Sequence, residues 1–271
     1  MTAKLFGEGL KMAHKDFMEE RRAKILDYLK KNGRAEIAEL AKLADSTEIT
    51  IRRDLTFLEE QGLIIKTHGG AIKKEDNFTI WQTTTVNSRL CQNVDNKRKI
   101  AAEVAKLVSD GETLMIDGGS TTQMVAEALC ERKNLLVVTN SPDIGKILVG
   151  VEENKVIITG GELNKGTYSS LGSDAVAVIS KYYVDKAILG LTGLIPDIGC
   201  FAAIPMETDI KKEMTLHARE TIIVIDSSKI GVGAFCKAFD LTTVNTLITN
   251  SDISDSDAEK IKSFGIHLIT V

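Results

Sequence analysis

Hydrophobic and polar positions follow two different rhythms along this chain, and the change comes near residue 76. Before it, apolar residues recur at helical spacing in three short runs. Phe17, Ile25, Leu26, Tyr28 and Leu29 are mixed with charges and predict an amphipathic helix ending before Gly33. Ile37, Leu40, Ala41 and Leu43 predict a second helix at about 36–44. A third opens at Thr47, whose hydroxyl can cap the first turn, and ends at Gln61–Gly62, with Ile51, Leu55 and Leu58 inward. The stretch "LIIKTHGGAIKK" then reads as two β-capable pieces around His68-Gly69-Gly70, a small hairpin. Three short helices and a hairpin make a winged helix-turn-helix, expected over 17–75.

Residues 76–96 follow neither period and are expected to be a linker in which Trp81, the only tryptophan, packs against one of the domains. From 97 onward, helical and strand-like segments alternate. Helices are expected at about 97–109, 120–131, 142–149, 173–181, 206–218 and 255–263. Strands are expected at 112–117, 135–139, 155–159, 185–190, 221–225, 244–249 and 266–270. Strands such as "NLLVVT", "KVIIT" and "TIIVID" are almost wholly apolar, as a parallel sheet covered on both faces requires. Residues 97–271 are therefore expected to form a Rossmann-like α/β domain.

Charge sharpens the division. Residues 1–75 carry 15 Lys and Arg against 13 Asp and Glu, whereas the remainder carries 19 against 25, within a net charge of −4. That distribution excludes a uniformly basic nucleic-acid binder and permits a DNA-contacting module on an acidic body. The four cysteines and four histidines are scattered, so neither a metal site nor a cofactor is expected. The chain has no run long enough to span a membrane and no apolar N-terminal segment, and a cytoplasmic protein is expected.

Two stretches carry candidate chemistry. In "TEITIRRDLTFLEEQG", Arg52 and Arg53 leave the side opposite Ile51 and Leu55, with Thr47, Glu48 and Thr50 beside them near the helix N-terminus. A recognition helix presents such residues to the major groove, where arginine reads guanine or clamps phosphate. Asp54 is expected to orient one of these arginines, and Lys66, His68, Lys73 and Lys74 to reach flanking phosphates. An isolated "RRD" would be ordinary surface charge; third in a helical trio and followed by a basic hairpin, it favours double-stranded DNA.

In "MIDGGSTTQMVAEAL", a strand end, a glycine turn and a helix start combine unpaired N–H groups with the positive end of the helix dipole, which suits a phosphate or carboxylate. Polar turns recur at other strand ends. Together they nominate Asp117, Gly118, Gly119, Ser120, Thr121, Thr122, Asn140, Gly160, Gly161, Gly172, Thr192, Glu207 and Lys229 around an anionic ligand. Each has a bland alternative as turn former or helix cap.

"EITIRRDLTFLEEQGLIIKTHGGA" resembles the signature of DeoR-type bacterial transcriptional regulators, and the resemblance resumes at Arg89, Asn93 and Lys97 and continues to the C-terminus. Residues 1–16 lie outside it and are expected to be disordered. The resemblance implies an operator-binding homo-oligomer, a repressor of a carbohydrate operon, whose α/β domain has the sugar-phosphate isomerase/CoA-transferase fold and senses a phosphorylated metabolite. It also raises the rival of a sugar-phosphate isomerase or deaminase with an accessory domain. Where that family and those enzymes commonly carry an acid after the strand "AILGL", this chain has Thr192. Threonine cannot serve as a general base, so a sensor is expected rather than a catalyst.

Overall fold

A computed structural model describes residues 18, 21–29, 31–32, 34–60, 63–67, 69–73 and 85–271. The expected N-terminal extension, Phe17, His68, Lys74, Trp81 and the first part of the expected linker lie outside the described residues. The chain divides into two units, Met1–Asn77 and Phe78–Val271.

In the first unit, α1 (residues 21–29) is followed by β1 (Arg34–Glu36), α2 (Ile37–Leu43), α3 (Glu48–Glu60), β2 (Ile64–Lys66) and β3 (Gly70–Lys73). The hairpin is present, but it is part of a three-stranded antiparallel sheet in the order β1-β3-β2. β1 was not expected because three residues are too few to display a period. It exists because Gly70 lets the two backbones meet: a β-carbon there would collide with the Ala35 carbonyl. Ile25, Leu29, Leu40, Ile51, Leu55, Leu58 and Ile64 close a core beneath the helices.

Asp54 departs from expectation. It is 2% exposed and points away from Arg52 and Arg53, accepting instead from Arg21 Nε at 2.5 Å and Arg22 Nε at 2.8 Å. Helical spacing explains this, since Asp54 shares the inward side with Ile51, Leu55 and Leu58. Arg22 also stacks over the Phe57 ring, 3.7 Å from its centroid. Asp54 thus ties α1 to α3.

The second unit begins with α4 (Val86–Leu90) and α5 (Val94–Leu107), so the latter part of the expected linker is helical. β4 (Thr113–Ile116), α6 (Ser120–Ala128), β5 (Leu136–Thr139), α7 (Pro142–Leu148) and β6 (Lys155–Ile158) follow. The small ribbon of β7 (Glu162–Leu163) and β8 (Ser170–Leu171) precedes α8 (Ser173–Ile179) and β9 (Val184–Leu189). Next come β10 (Gly193–Ile195), β11 (Gly199–Ala202), α9 (Pro205–Leu216), β12 (Ala218–Val224) and β13 (Cys236–Phe239). β14 (Thr246–Thr249), α10 (Asp255–Ser263) and β15 (His267–Thr270) complete it.

Seven strands form one parallel sheet in the order β15-β14-β12-β9-β4-β5-β6. Along β4, Leu114 and Ile116 face a cluster built with α5, α6 and α7, while Met115 faces the opposite cluster with α8, α9 and α10. Both faces are buried, which is why the strands read as continuous apolar runs. The chain builds outward from β4 through β5 to β6, then returns to the other side of β4 with β9. That reversal is a switch point, where the connections leaving β4 and β9 run to opposite faces of the sheet and leave a crevice between them. The antiparallel sheet β10-β11-β13 was not expected; its short strands and the positive-φ turn at Gly199 hide the alternation.

Asp54→Ala should loosen the first unit by about 1–3 kcal/mol, because two part-buried arginines lose a charged acceptor. Hydrogen exchange of the α1 and α3 amides in the full chain should accelerate roughly tenfold or more. Unchanged protection would remove the tie between these helices.

Candidate functional site

The crevice is organised by Asp117, the residue after β4. Its buried carboxylate accepts the Gly190 N–H at 2.9 Å and a hydrogen bond from the Lys211 ammonium, while Lys211 Nζ also donates to Gly190 O at 2.8 Å. This circuit joins the ends of β4 and β9 to α9. Gly118 N donates to Asn140 Oδ1 at 2.9 Å, and Asn140 Nδ2 donates to Ser170 O at 3.2 Å. Gly118 must be glycine here, since a β-carbon would strike the Ser169 side chain. The chain then enters α6, whose first residues Ser120, Thr121 and Thr122 are buried. Thr122 Oγ1 donates back to Gly119 O at 3.0 Å, and Gly118, Gly119, Ser120 and Thr121 line the crevice.

Cations close the other side. Arg89 comes from α4, which is held by Val86 N donating to Gly166 O at 2.7 Å and by Lys97 Nζ donating to the carbonyls of Arg89 and, at 2.6 Å, Gln92. Lys229 Nζ donates to Leu191 O at 3.1 Å. The recess of about 380 Å³, open mouth included, is lined by these residues with Gly118, Gly119, Ser120, Thr121, Thr167, Thr192, Glu207 and Lys211.

Its electrostatics are unfinished. Arg89 Nε and Nη2 and Thr121 Oγ1 are buried without a hydrogen-bond partner; only one other such side-chain atom, Thr249 Oγ1, occurs among the described residues. Buried unpaired donors are rare, and three lining one recess mark a place for an acceptor. Burial lowers the proton affinity of Arg89 against the opposing pull of Glu207 and Asp117. Burial likewise brings Lys229 down to about 8, with Asp226 resisting. Glu207, in the first turn of α9, is raised by burial although Lys211 and Arg89 oppose the shift. An anion on Arg89 and Lys229 would relieve the cost of holding both charges out of water.

Of the residues nominated for an anionic ligand, Gly118, Gly119, Ser120, Thr121, Thr192, Glu207 and Lys229 come together here. Asp117 and Asn140 line a smaller adjoining recess with Gly118, Ser169, Leu171, Glu207, Ile210 and Lys211, and their side chains are engaged in the bonds above. Thr122 lies behind the turn. Gly160, Gly161 and Gly172 line neither space; all three have positive φ, and Gly172 leads into α8. Arg89 and Lys211 were not nominated. Arg89 sat in a stretch without visible period, whereas Lys211 stands four residues after Glu207, on the same face of one helix. No group of three or more His, Cys, Asp or Glu among the described residues is gathered to hold a metal ion.

In the first unit, Thr47 caps α3 as expected, accepting Thr50 N–H at 3.3 Å. Glu48, Arg52 and Arg53 are exposed and Thr50 is half-buried. Arg52 Nη2 lies 4.0 Å from Glu48 Oε2, a solvated pairing that costs little to exchange for another anion. Lys66 is exposed, and its Nζ donates to Thr56 Oγ1 at 2.9 Å while its N–H donates to Glu59 Oε1 at 2.9 Å, fastening β2 to α3. Arginines on a capped helix beside a small basic sheet make a surface suited to a nucleic-acid backbone.

Comparison with known proteins covers both units. Residues 21–76 match the DeoR-like helix-turn-helix domain, and residues 92–251 match the DeoR C-terminal sensor domain. The chain belongs to the DeoR family. It is 32% identical over 253 residues to the HTH-type transcriptional repressor GlcR of Bacillus subtilis (strain 168), covering 93% of this chain and 96% of that protein. It is 31% identical over 227 residues to the glycerol-3-phosphate regulon repressor of Escherichia coli (strain K12), covering 84% and 88%. Among solved structures, ribose 5-phosphate isomerase A from Methanocaldococcus jannaschii is similar with a TM-score of 0.39 and 20% identity over 51% of this chain and 55% of that one, too partial a likeness to bear on activity. The DeoR sensor match contains every lining residue of the recess except Arg89, which lies just before it. No described helix of this DeoR-family chain is long and apolar enough to cross a membrane.

Because Lys229 loses its proton near pH 8, anion affinity should be highest below that value and fall as pH rises through it. The slope of log affinity for sulfate against pH should approach −1 above pH 8. Calorimetric titration between pH 6.5 and 9.5 measures this; Lys229→Met should flatten the upper part of the profile, and an identical profile in both proteins would exclude Lys229 from the anion site.

Proposed function

We propose that this chain is a repressor of a carbohydrate-metabolism operon, and that a phosphorylated sugar or related anionic metabolite bound in the sensor recess lowers its affinity for operator DNA. The observation that carries the proposal is the set of unpaired donors, two on Arg89 and one on Thr121, at the N-terminus of α6. A phosphoryl group offers acceptors to the guanidinium fork, the hydroxyl and the helix amides together, with Lys229 beside them. Glu207 and Asn140 are suited to hydroxyls on the remainder of the ligand. The relatives' names, repressors among them, support the regulatory reading.

The division of labour keeps 17–75 for DNA and 97–271 for the metabolite, with 1–16 as an extension; of the expected connection 76–96, the helical part from Val86 joins the metabolite unit and supplies Arg89. Linkage supplies the control. A metabolite that binds better to a form poorly matched to the operator must weaken DNA binding by the same factor as DNA weakens its own. Paired recognition helices on a homo-oligomer would read repeated half-sites, and the protein would work in the cytoplasm where its DNA is.

Catalysis keeps one observation in its favour, because Glu207 is a recessed carboxylate of raised proton affinity. Thr192 weighs against it, since it supplies no second carboxylate at the end of β9.

A thermal-shift screen against phosphorylated sugars and polyols, each hit also assayed for chemical turnover, separates the two. Under the sensor reading a hit at one hundred times its Kd stabilises by about 2.7 kcal/mol and is recovered unchanged. Turnover at ordinary enzymatic rates would make the protein a catalyst. For the DNA surface, Arg52→Ala with Arg53→Ala should weaken binding at least tenfold. The slope of log affinity against log salt should also become shallower by about 0.9 for each phosphate that is no longer neutralised. Unchanged affinity and slope would rule out α3 as the DNA-contacting helix.

A further inference from the structure

On α3, the buried residues Ile51, Asp54, Leu55 and Leu58 define the inward side. Stepping about 100° per residue, the point almost diametrically opposite is Ile49, flanked by Arg52 and Arg53 and followed about two turns later by Thr56. Ile49 is 67% exposed, more than Leu43, Phe57 or Leu63, the other exposed large apolar residues among those described in this unit. Phe57 has a use, as the face on which Arg22 stacks. Ile49 belongs to no apolar cluster among the described residues. It also stands in the first turn, beside the Thr47 cap, at the end of a recognition helix that goes deepest into a groove. The centre of the arginine face is thus occupied by a branched hydrocarbon.

Apolar contact in the major groove has one partner of matching chemistry, the C5-methyl of thymine. We infer that Ile49 is a specificity-determining residue that recognises a thymine methyl in each half-site, while Arg52 and Arg53 hold phosphate or guanine on either side. This rests on the DNA-binding reading of α3.

The test removes the methyl from the DNA and the side chain from the protein separately. A duplex selected by the full chain from a randomised pool is resynthesised with uracil replacing thymine at one position at a time. Binding is followed by fluorescence anisotropy at fixed salt. For the wild-type protein, one position per half-site should lose roughly threefold to tenfold in affinity, the scale of one buried methyl group. Ile49→Ala should bind the thymine duplex more weakly by a similar factor and be indifferent to uracil at that position. Ile49→Asn, selected afresh, should prefer adenine there, since asparagine pairs with its N6 and N7. If both proteins respond alike to every uracil while the double arginine variant loses binding, the Ile49 assignment is overturned and the DNA reading stands. If the double arginine variant binds as wild type does, both fall together.

Discussion

The sensor domain depends on a buried ion pair in which each partner is also hydrogen-bonded to backbone. Asp117 and Lys211 lie 94 residues apart, and Gly190 completes their circuit by donating to the one and accepting from the other. A buried pair of charges is costly to desolvate and holds only if the remaining donors and acceptors are met. Here they are met by backbone from the neighbouring strand end. The consequence is geometric: β4, β9 and α9 are locked together at the one place in the sheet where the strand order reverses. The crevice that opens there is therefore held in shape before any ligand arrives.

What the crevice lacks is an acceptor. Its donors come from four separate elements, yet of the nearby carboxylates Asp117 is committed to Lys211 and Asp226 accepts from Asn93 and Ser228. Glu207 is left, and burial favours its protonated form. The positive potential of Arg89 and Lys229 is thus stored in a site that only an anion can neutralise. In the first unit the economy is reversed. Asp54 neutralises Arg21 and Arg22 in the interior, so Arg52 and Arg53 are left to solvent and to whatever anion approaches.

Several of these features were legible from residues alone. Helical spacing located α2 and α3, and Thr47 announced the start of α3. Apolar runs located the seven parallel strands, because a strand covered on both faces leaves no ambiguity about its burial. The loop at 117–122 was recognisable from local chemistry, as glycines followed by hydroxyls at a helix start. Asp54 was misread because its neighbours in sequence are arginines, whereas its neighbours in space are set by the inward face of the helix. Ile49 carries no signal of its own in the sequence, since residue type alone does not separate an exposed isoleucine from a buried one. Arg89 marks only the place where the family resemblance resumes, with no role attached, because α4 is too short to show a period.

The sequence by itself therefore determined the two-unit plan, the class of each unit, the helix that bears the arginines and the turn that can seat an anion. All of these are encoded within a few residues, by spacing, capping and glycine. Only the tertiary structure decided which side chains meet. Arg89, Thr121, Lys229 and Glu207 share one recess because the order of strands, which no local pattern specifies, brings the ends of β4 and β9 side by side. The same ordering leaves Gly160, Gly161 and Gly172 outside it, although their local chemistry resembles that of Gly118 and Gly119. Turn chemistry is a property of neighbours in sequence, and a binding site is a property of strand ends that the sheet places together.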